Sequence, residues 1–520
     1  MGTEVKGTNP IRGGKPADLG EQCPRFALMQ MDCANFPPVR RVKSLLPMPA
    51  SPETPDLDAL LARRAFGEVL QRTQTSLRRN PRDLRAWHAQ ARAAFALGRL
   101  TVADEAVERA IRLNGASHDL ALLRAIIDHR LGRSDAAIDR LRGLIAKGAP
   151  NTVDATMALA EVLHRAGRRQ ELQTLVSSGG KWLSDPRAQI FTARVTALTD
   201  PTGTADRLEA FARSDAVAMA RRIAGFDAVR MLDAAGEYRR AFALAEHLHA
   251  TTGEPFDVDG VIADANAQSA LLARGKPWFT PRAPAVNGVA LVVGMPRSGT
   301  TLLEQMLDRH SAVTGIGEYD GINTLGTAVI SAGAWPTGLA MLPTDEALAM
   351  QQNYLSGIAS MRRGNTPWMF DKSLNTWHWL PAVAAVMPGA VCFHIMREPR
   401  DTAVSLFLSN FHPKNVGWTS SLESIRRIIA AERALVPQAL QALGIPHESI
   451  VYEELVADPR GHMERCLKRM GLAMEETVLA PEANARTVLT LSHEQVRKPI
   501  NRSSIGRWKN YEWAFGAEWD

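Results

Sequence analysis

The sequence is short of the features that mark secreted, membrane-bound or metal-clustered proteins. Its four cysteines, Cys23, Cys33, Cys392 and Cys466, form no C-x-x-C pair and no zinc spacing. A disulfide framework is therefore not expected, and the thiols read as reduced and structural in a reducing compartment. No apolar run approaches the roughly 18 residues of a membrane span. The N-terminus lacks the charged-then-apolar layout of a signal peptide. A cytoplasmic chain with no membrane span is the expectation. Charge of one sign is also lacking, since 61 basic and 55 acidic residues leave only +6. That balance suits an anionic ligand and gives no argument for nucleic acid.

A chain of 520 residues exceeds what one core usually supports, and its texture changes twice. Residues 1–55 are punctuated by Gly and Pro ("GTNPIRGGKPADLG", "LPMPASPETP") and read as a disordered leader. From 57 to 275 the chain is helical and rich in Ala, Leu and Arg. Here "ALGRLTVADEAVERAI" aligns with "RLGRSDAAIDRLRGLI", and Gly98, Gly132, Gly167 and Gly236 lie 34, 35 and 69 residues apart. Gly203 is expected to mark a degenerate unit between the last two. A period near 34 with a glycine turn between two helices resembles the tetratricopeptide repeat. Small or apolar residues (Ala103, Val107, Ala110; Ala137, Leu141, Leu144) would let the helices pack closely. A generic antiparallel helical array is the alternative; either is an α-solenoid.

Around "GKPWFTPRAPAVNG" Pro and Gly cluster, and short β-type runs then alternate with helical ones over 286–515. Expected strands are 289–294, 367–371, 390–396 and 449–455; expected helices are 298–309, 379–387, 402–411 and 421–443. Apolar strands separated by helices imply a parallel sheet covered on both faces. The fold class is thus an α-solenoid followed by a P-loop-like α/β domain.

The stretch "LVVGMPRSGTTLLEQML" lacks one part of a nucleotide-phosphate loop. Gly294 and Gly299 enclose four residues as in G-x-x-x-x-G-K-[ST], but Thr300 stands where the lysine belongs. A strand, a glycine turn and a helix N-terminus still make an anion site, with Ser298, Thr300 and Thr301 as hydroxyl donors. Without that lysine and an Asp for magnesium, γ-phosphoryl transfer loses its usual stabilisers.

"PRSGTT" resembles the 5′-phosphosulfate loop of sulfotransferases that use 3′-phosphoadenosine 5′-phosphosulfate (PAPS), above all tyrosylprotein sulfotransferases and bacterial repeat-fused relatives. The resemblance implies PAPS as cosubstrate, with no metal. Arg297, Ser298, Gly299, Thr300 and Thr301 would hold the phosphosulfate. In "HIMREPRDTAVSLFLSNF", Arg397 and Ser405 match the pair that binds the 3′-phosphate, on a turn expected to be capped by Asp401. Lys372 of "FDKSLN" holds the place of the catalytic lysine on the bridging oxygen, with Asn375 fixing the loop. Glu318 of "VTGIGEYDGIN" matches the acceptor base; His378 and His412 are runners-up, whereas His394 reads as a core histidine. More weakly, Tyr452 matches a residue against the adenine or its phosphate, and Ser492 and Arg507 match cofactor contacts. Ser409 departs from the pattern, standing where the animal enzymes have a basic cofactor contact.

The expected activity is sulfuryl transfer from PAPS to an acceptor hydroxyl, a tyrosine in a protein or peptide held by the repeats. A sugar or small-molecule hydroxyl is the alternative acceptor, and homodimerisation the alternative use of the repeats. The rivals are a P-loop kinase, against which Thr300 argues, and a repeat scaffold with an inactive catalytic half.

Overall fold

The computed structural model describes residues 57–520 except 63–64, 98, 116, 149–151, 186, 198, 360, 412–415 and 485–498, and the side chain of Asn114. The leader with Cys23 and Cys33, Gly98, His412 and Ser492 lie outside the described residues.

The N-terminal half is a succession of helices: α1 (Leu57–Ala62), α2 (Phe66–Arg79), α3 (Leu84–Ala96), α4 (Leu100–Asn114), α5 (His118–Arg130), α6 (Ser134–Ala146) and α7 (Thr152–Arg165). There follow α8 (Arg169–Ser177), α9 (Ala188–Thr196), α10 (Pro201–Ala212), α11 (Ala218–Ala234), α12 (Tyr238–Thr252) and α13 (Val258–Leu272). From α1 to α12 each packs on the next because its small residues are buried: Ala103, Val107, Ala110, Ala137 and Leu141 are fully enclosed. Gly132, Gly167 and Gly236 end helices with φ of +81°, +73° and +80°, the left-handed turn that glycine adopts without strain. Gly203 does not make such a turn. It sits in the first turn of α10, where its amide donates to the capping Asp200 at 2.9 Å. Asp200 followed by Pro201 is a helix-start signal, and it overrides the glycine.

Ion pairs repeat along this half in one register. Arg168–Asp135 (2.7 Å), Arg187–Asp154 (3.3 Å), Arg194–Glu161 (3.1 Å) and Arg194–Asp227 (2.8 Å) each join residues 33 apart. Equivalent positions of neighbouring helix pairs therefore lie side by side.

In the C-terminal half a five-stranded parallel sheet has the order β2-β3-β1-β4-β5. Its strands are β1 (Val289–Val293), β2 (Val313–Gly317), β3 (Trp368–Asp371), β4 (Val391–Met396) and β5 (His447–Val451). The helices are α14 (Thr300–Asp308), α15 (Gly321–Ser331), α16 (Thr344–Ala359), α17 (Leu380–Val386), α18 (Pro399–Phe407), α19 (Leu422–Ala442), α20 (Tyr452–Ala457) and α21 (Pro459–Arg469). Successive strand residues enter opposite cores. Val289, Leu291 and Val293 join one, Ala290 and Val292 the other, so helices cover both faces as the apolar runs implied. Two expectations shift. β2 was not foreseen as a strand, because "VTGIG" is short and glycine-rich. The expected strand at 449–455 stops at Val451, and Tyr452 to Ala457 turn helical. Glu453 and Glu454 in that first turn favour the helix start.

One core spans both halves. Ile190, Leu208, Phe226, Leu248 and Leu272 belong to the same buried cluster as Leu291, Trp379, Phe407 and Tyr511. Arg222 of α11 is buried in the junction and donates to Asn410 Oδ1 and the Phe411 carbonyl, each at 3.0 Å. His249 of α12 meets the Phe407 carbonyl at the end of α18 at 2.8 Å. Among the described residues no helix is long and apolar enough to cross a membrane.

Candidate active site

In a parallel sheet every strand delivers its next residue to the same edge, and ligands bind beyond those carboxyl ends. Here the five ends supply, in spatial order, Glu318 (after β2), Lys372 (after β3), the loop 294–299 (after β1), Arg397 (after β4) and Tyr452 (after β5). Four strand spacings of about 4.8 Å make this row roughly 19 Å long.

The central loop is shaped by backbone that few residues accept. Gly294 has φ +150°, and a Cβ there would stand 2.4 Å from the Ile395 carbonyl oxygen. Gly299 has φ +108°, and its Cβ would stand 2.4 Å from Cδ2 of Tyr452. Arg297, without glycine's freedom, nevertheless has φ +71°, a costly geometry that surrounding contacts hold. Its Nε donates to Ser405 Oγ at 2.8 Å, and its carbonyl accepts Arg397 at 3.0 Å. Ser298 turns its hydroxyl back to the Met295 carbonyl at 2.7 Å, so that proton is engaged within the loop. Thr300 and Thr301, both buried, open α14.

Cations crowd the β1–β4–β5 end. Burial first, then the charges of Arg397 and Arg507, push the Arg297 guanidinium down to about 10. Burial also lowers Arg397. Arg397 stacks over the Tyr452 ring at 5.0 Å and donates to the Ser504 carbonyl, while its buried Nε has no partner among the described residues. Buried guanidinium groups that repel one another gain most from an anion between them.

Asp401 does not cap the turn before Ser405. Glu398 does, accepting the Arg400 amide at 3.3 Å. Asp401 lies within the first turn of α18, and its carboxylate accepts the amides of Gly506 (2.7 Å) and Trp508 (2.8 Å) from the C-terminal segment. Proline at the first helical position moved the start of α18 upstream of the expected one.

At the other end, Lys372 is fully buried and donates to Glu318 Oε1 at 2.6 Å. Beneath them Asp371 accepts Tyr354 (2.7 Å) and the amide and hydroxyl of Ser373 (2.8 and 2.6 Å). Burial raises its carboxyl to about 6. Asn375 takes φ +56° in the turn that follows. His378 is buried between tryptophans, and burial pushes it down to about 3, which makes it a weak proton acceptor. His394 is buried against Glu432 at 2.6 Å.

A model of the sulfotransferase family matches residues 290–476, from β1 to just past α21. That segment is similar to the sulfotransferase family. The chain is similar to an uncharacterized protein of Aquifex aeolicus, 29% identical over 326 residues, 59% of this chain and 42% of that protein. It is also similar to protein-tyrosine sulfotransferase 2 of Gallus gallus, 25% identical over 240 residues, 41% of this chain and 61% of that protein. The chain thus covers less than two thirds of the length of either relative. Two solved structures align with 45% of it: sulfotransferase domains of a Synechococcus PCC 7002 olefin synthase (20% identity, 91% of that chain, TM-score 0.30) and of the curacin biosynthetic pathway (16%, 96%, 0.33).

In the α/β half, Arg297, Arg397 and Tyr452 stand at one end of the sheet edge and the Lys372–Glu318 pair at the other; Arg507 reaches the cationic end from the C-terminal segment. Ser409 donates to the Ser405 carbonyl at 2.6 Å and so braces α18. Sequence reasoning missed Asp371, which stands beside the named Lys372 in "FDKS". It named Asp401 as a cap but not its hold on Gly506 and Trp508, which lie more than 100 residues along the chain. Among the described residues no group of His, Cys, Asp and Glu could hold a metal ion.

Proposed function

We propose that the protein transfers the sulfuryl group of PAPS to an acceptor hydroxyl. The observation that carries this reading is the glycine loop beside Arg297, Arg397 and Arg507, which offers several cations to one extended, multiply anionic ligand. The buried Arg397 Nε suits a phosphate-bearing group, and glycine at 294 and 299 lets the loop close against Ile395 and Tyr452. PAPS supplies the activated sulfuryl group. Arg297, Ser298, Gly299, Thr300 and Thr301 would cradle its 5′ end. Arg397, Ser405, Arg507 and Ser492 would serve the 3′-phosphate side, with Tyr452 against the base.

Glu318 would take the acceptor's proton as the oxygen attacks sulfur. Protonation removes the charge that holds Lys372, and the freed ammonium can then turn to the oxygen leaving with adenosine 3′,5′-bisphosphate. A tyrosine in a protein or peptide is the proposed acceptor, supported by the likeness to protein-tyrosine sulfotransferase 2. The helical half is read as a tetratricopeptide-like solenoid that captures the polypeptide; its 33-residue ion-pair register supports this. The test is transfer from radiolabelled PAPS with the purified protein and a lysate, followed by identification of the labelled species. Label on carbohydrate or a small molecule would replace the acceptor. No label and no binding of adenosine 3′,5′-bisphosphate would sink the whole reading.

A further inference from the structure

The segment that crosses the cationic end of the site is tied to the helical half. Ser504 receives Arg397 on its carbonyl and meets the Tyr452 hydroxyl at 2.8 Å. Two residues on, Asp401 holds the Gly506 and Trp508 amides. Between them Arg507 turns its guanidinium to the carboxylate of Asp233, near the end of α11. The other oxygen of that carboxylate accepts Tyr511 at 2.6 Å. Tyr511 is fully buried, edge-on to Tyr238 of α12 at 5.3 Å. Arg507 nonetheless stands close enough to Arg297 and Arg397 for its charge to act on both. Asp233 therefore grips a cation of the site from outside the sulfotransferase domain.

We infer that Asp233 is a positioning residue for nucleotide binding: the helical half supplies the carboxylate that holds Arg507 toward the anionic end of the site. The inference rests on the reading of that site as one for a phosphorylated nucleotide. An arginine on an irregular segment would otherwise lose much rotamer freedom on meeting a phosphate. Asp233 and Tyr511 remove that freedom beforehand. The pairing leaves other N–H groups of the guanidinium for the ligand.

The test uses the full-length protein and adenosine 3′,5′-bisphosphate, with affinities measured by calorimetry. Asp233→Asn should weaken binding roughly 3- to 10-fold, the scale of one immobilised long side chain. Turnover at saturating PAPS should be unchanged, so the defect appears in KM. Arg507→Ala should weaken binding at least as much, and adding Asp233→Asn to it should change nothing further. Tyr511→Phe removes only the hydroxyl on the second carboxylate oxygen and should shift affinity the same way by a smaller factor, which covers the case of an unstable Asp233 variant. The inference is overturned if neither variant alters affinity, if Asp233→Asn tightens binding, or if its effect persists in full without Arg507. A wild-type protein that does not bind the nucleotide defeats the reading of the site, and this inference with it.

Discussion

Replacing Glu318 by Gln should both destabilise the protein and stop the reaction, and the two effects can be separated. Lys372 has no exposed side-chain surface, and Glu318 Oε1 lies 2.6 Å from its ammonium. Losing one partner of such a buried pair costs about 3–5 kcal/mol, because the other charge is left uncompensated. Replacing both by neutral groups of similar shape removes the unpaired charge, so Lys372→Met with Glu318→Gln should recover most of that loss. Chemistry should not recover. Glu318→Gln deletes the proton acceptor and should lower kcat by about 10²–10⁴-fold, and the double variant should be no better. Urea unfolding followed by tryptophan fluorescence measures the first effect, and radiolabelled transfer at saturating PAPS the second. Equal unfolding midpoints for wild type and both single variants would show that the pair is not energetically buried. Near-normal turnover in Glu318→Gln would remove it as the base.

Other outcomes follow from the same geometry. Arg397→Ala should weaken adenosine 3′,5′-bisphosphate by roughly 1.5–3 kcal/mol but an analogue without the 3′-phosphate much less; equal losses in calorimetry would take Arg397 off that phosphate. Gly299→Ala should cost about 1–3 kcal/mol in backbone strain plus the clash with Tyr452. Adding Tyr452→Ala should return only the clash, so complete rescue would mean that φ +108° is not demanded. Asp371 releases its proton near pH 3.8 when unfolded and near 6 when folded. At this carboxyl the folded state therefore binds more protons across that window, and its contribution to stability falls as pH rises from about 4 to 6 and is constant above. Asp371→Asn should abolish that slope in urea midpoints, and an unchanged slope would count against the buried carboxyl. A chain starting at residue 276 loses the α9–α13 side of the shared core and should fail to give a cooperative unfolding transition. A monodisperse, cooperatively unfolding product would show that the core is divisible.

Local signals in the sequence were enough for the loop and the strands around it. "VALVVG" and "AVCFHIM" are continuous apolar runs, and a strand–glycine–helix pattern leaves few alternatives for residues 289–308. Glu318 was named from the resemblance of "VTGIGEYDGIN" alone. Lys372 and Arg397 were legible because each follows an expected strand within one residue, and strand direction carries them to one edge. β2 was not, since "VTGIG" gains its order from pairing with β3 rather than from its own side chains. The grip of Asp401 on Gly506 and of Asp233 on Arg507 spans 105 and 274 residues. Nothing in local periodicity records such contacts. The helical period was visible in the turn glycines, but Gly203 misled because its neighbour Asp200 had the stronger local claim.

The row of strand ends has a consequence for how such a protein can change. Glu318 and Lys372 follow β2 and β3, whereas Arg397 and Tyr452 follow β4 and β5, with the glycine loop between the two pairs. On the proposed reading, substitutions in the turns after β2 and β3 would recast which hydroxyl is presented while leaving the Arg397 and Tyr452 end in place. Descendants of such a chain are free to diverge at one end of the sheet while the other stays fixed. The loop 294–299 lies between the two pairs, so a change there bears on both histories at once.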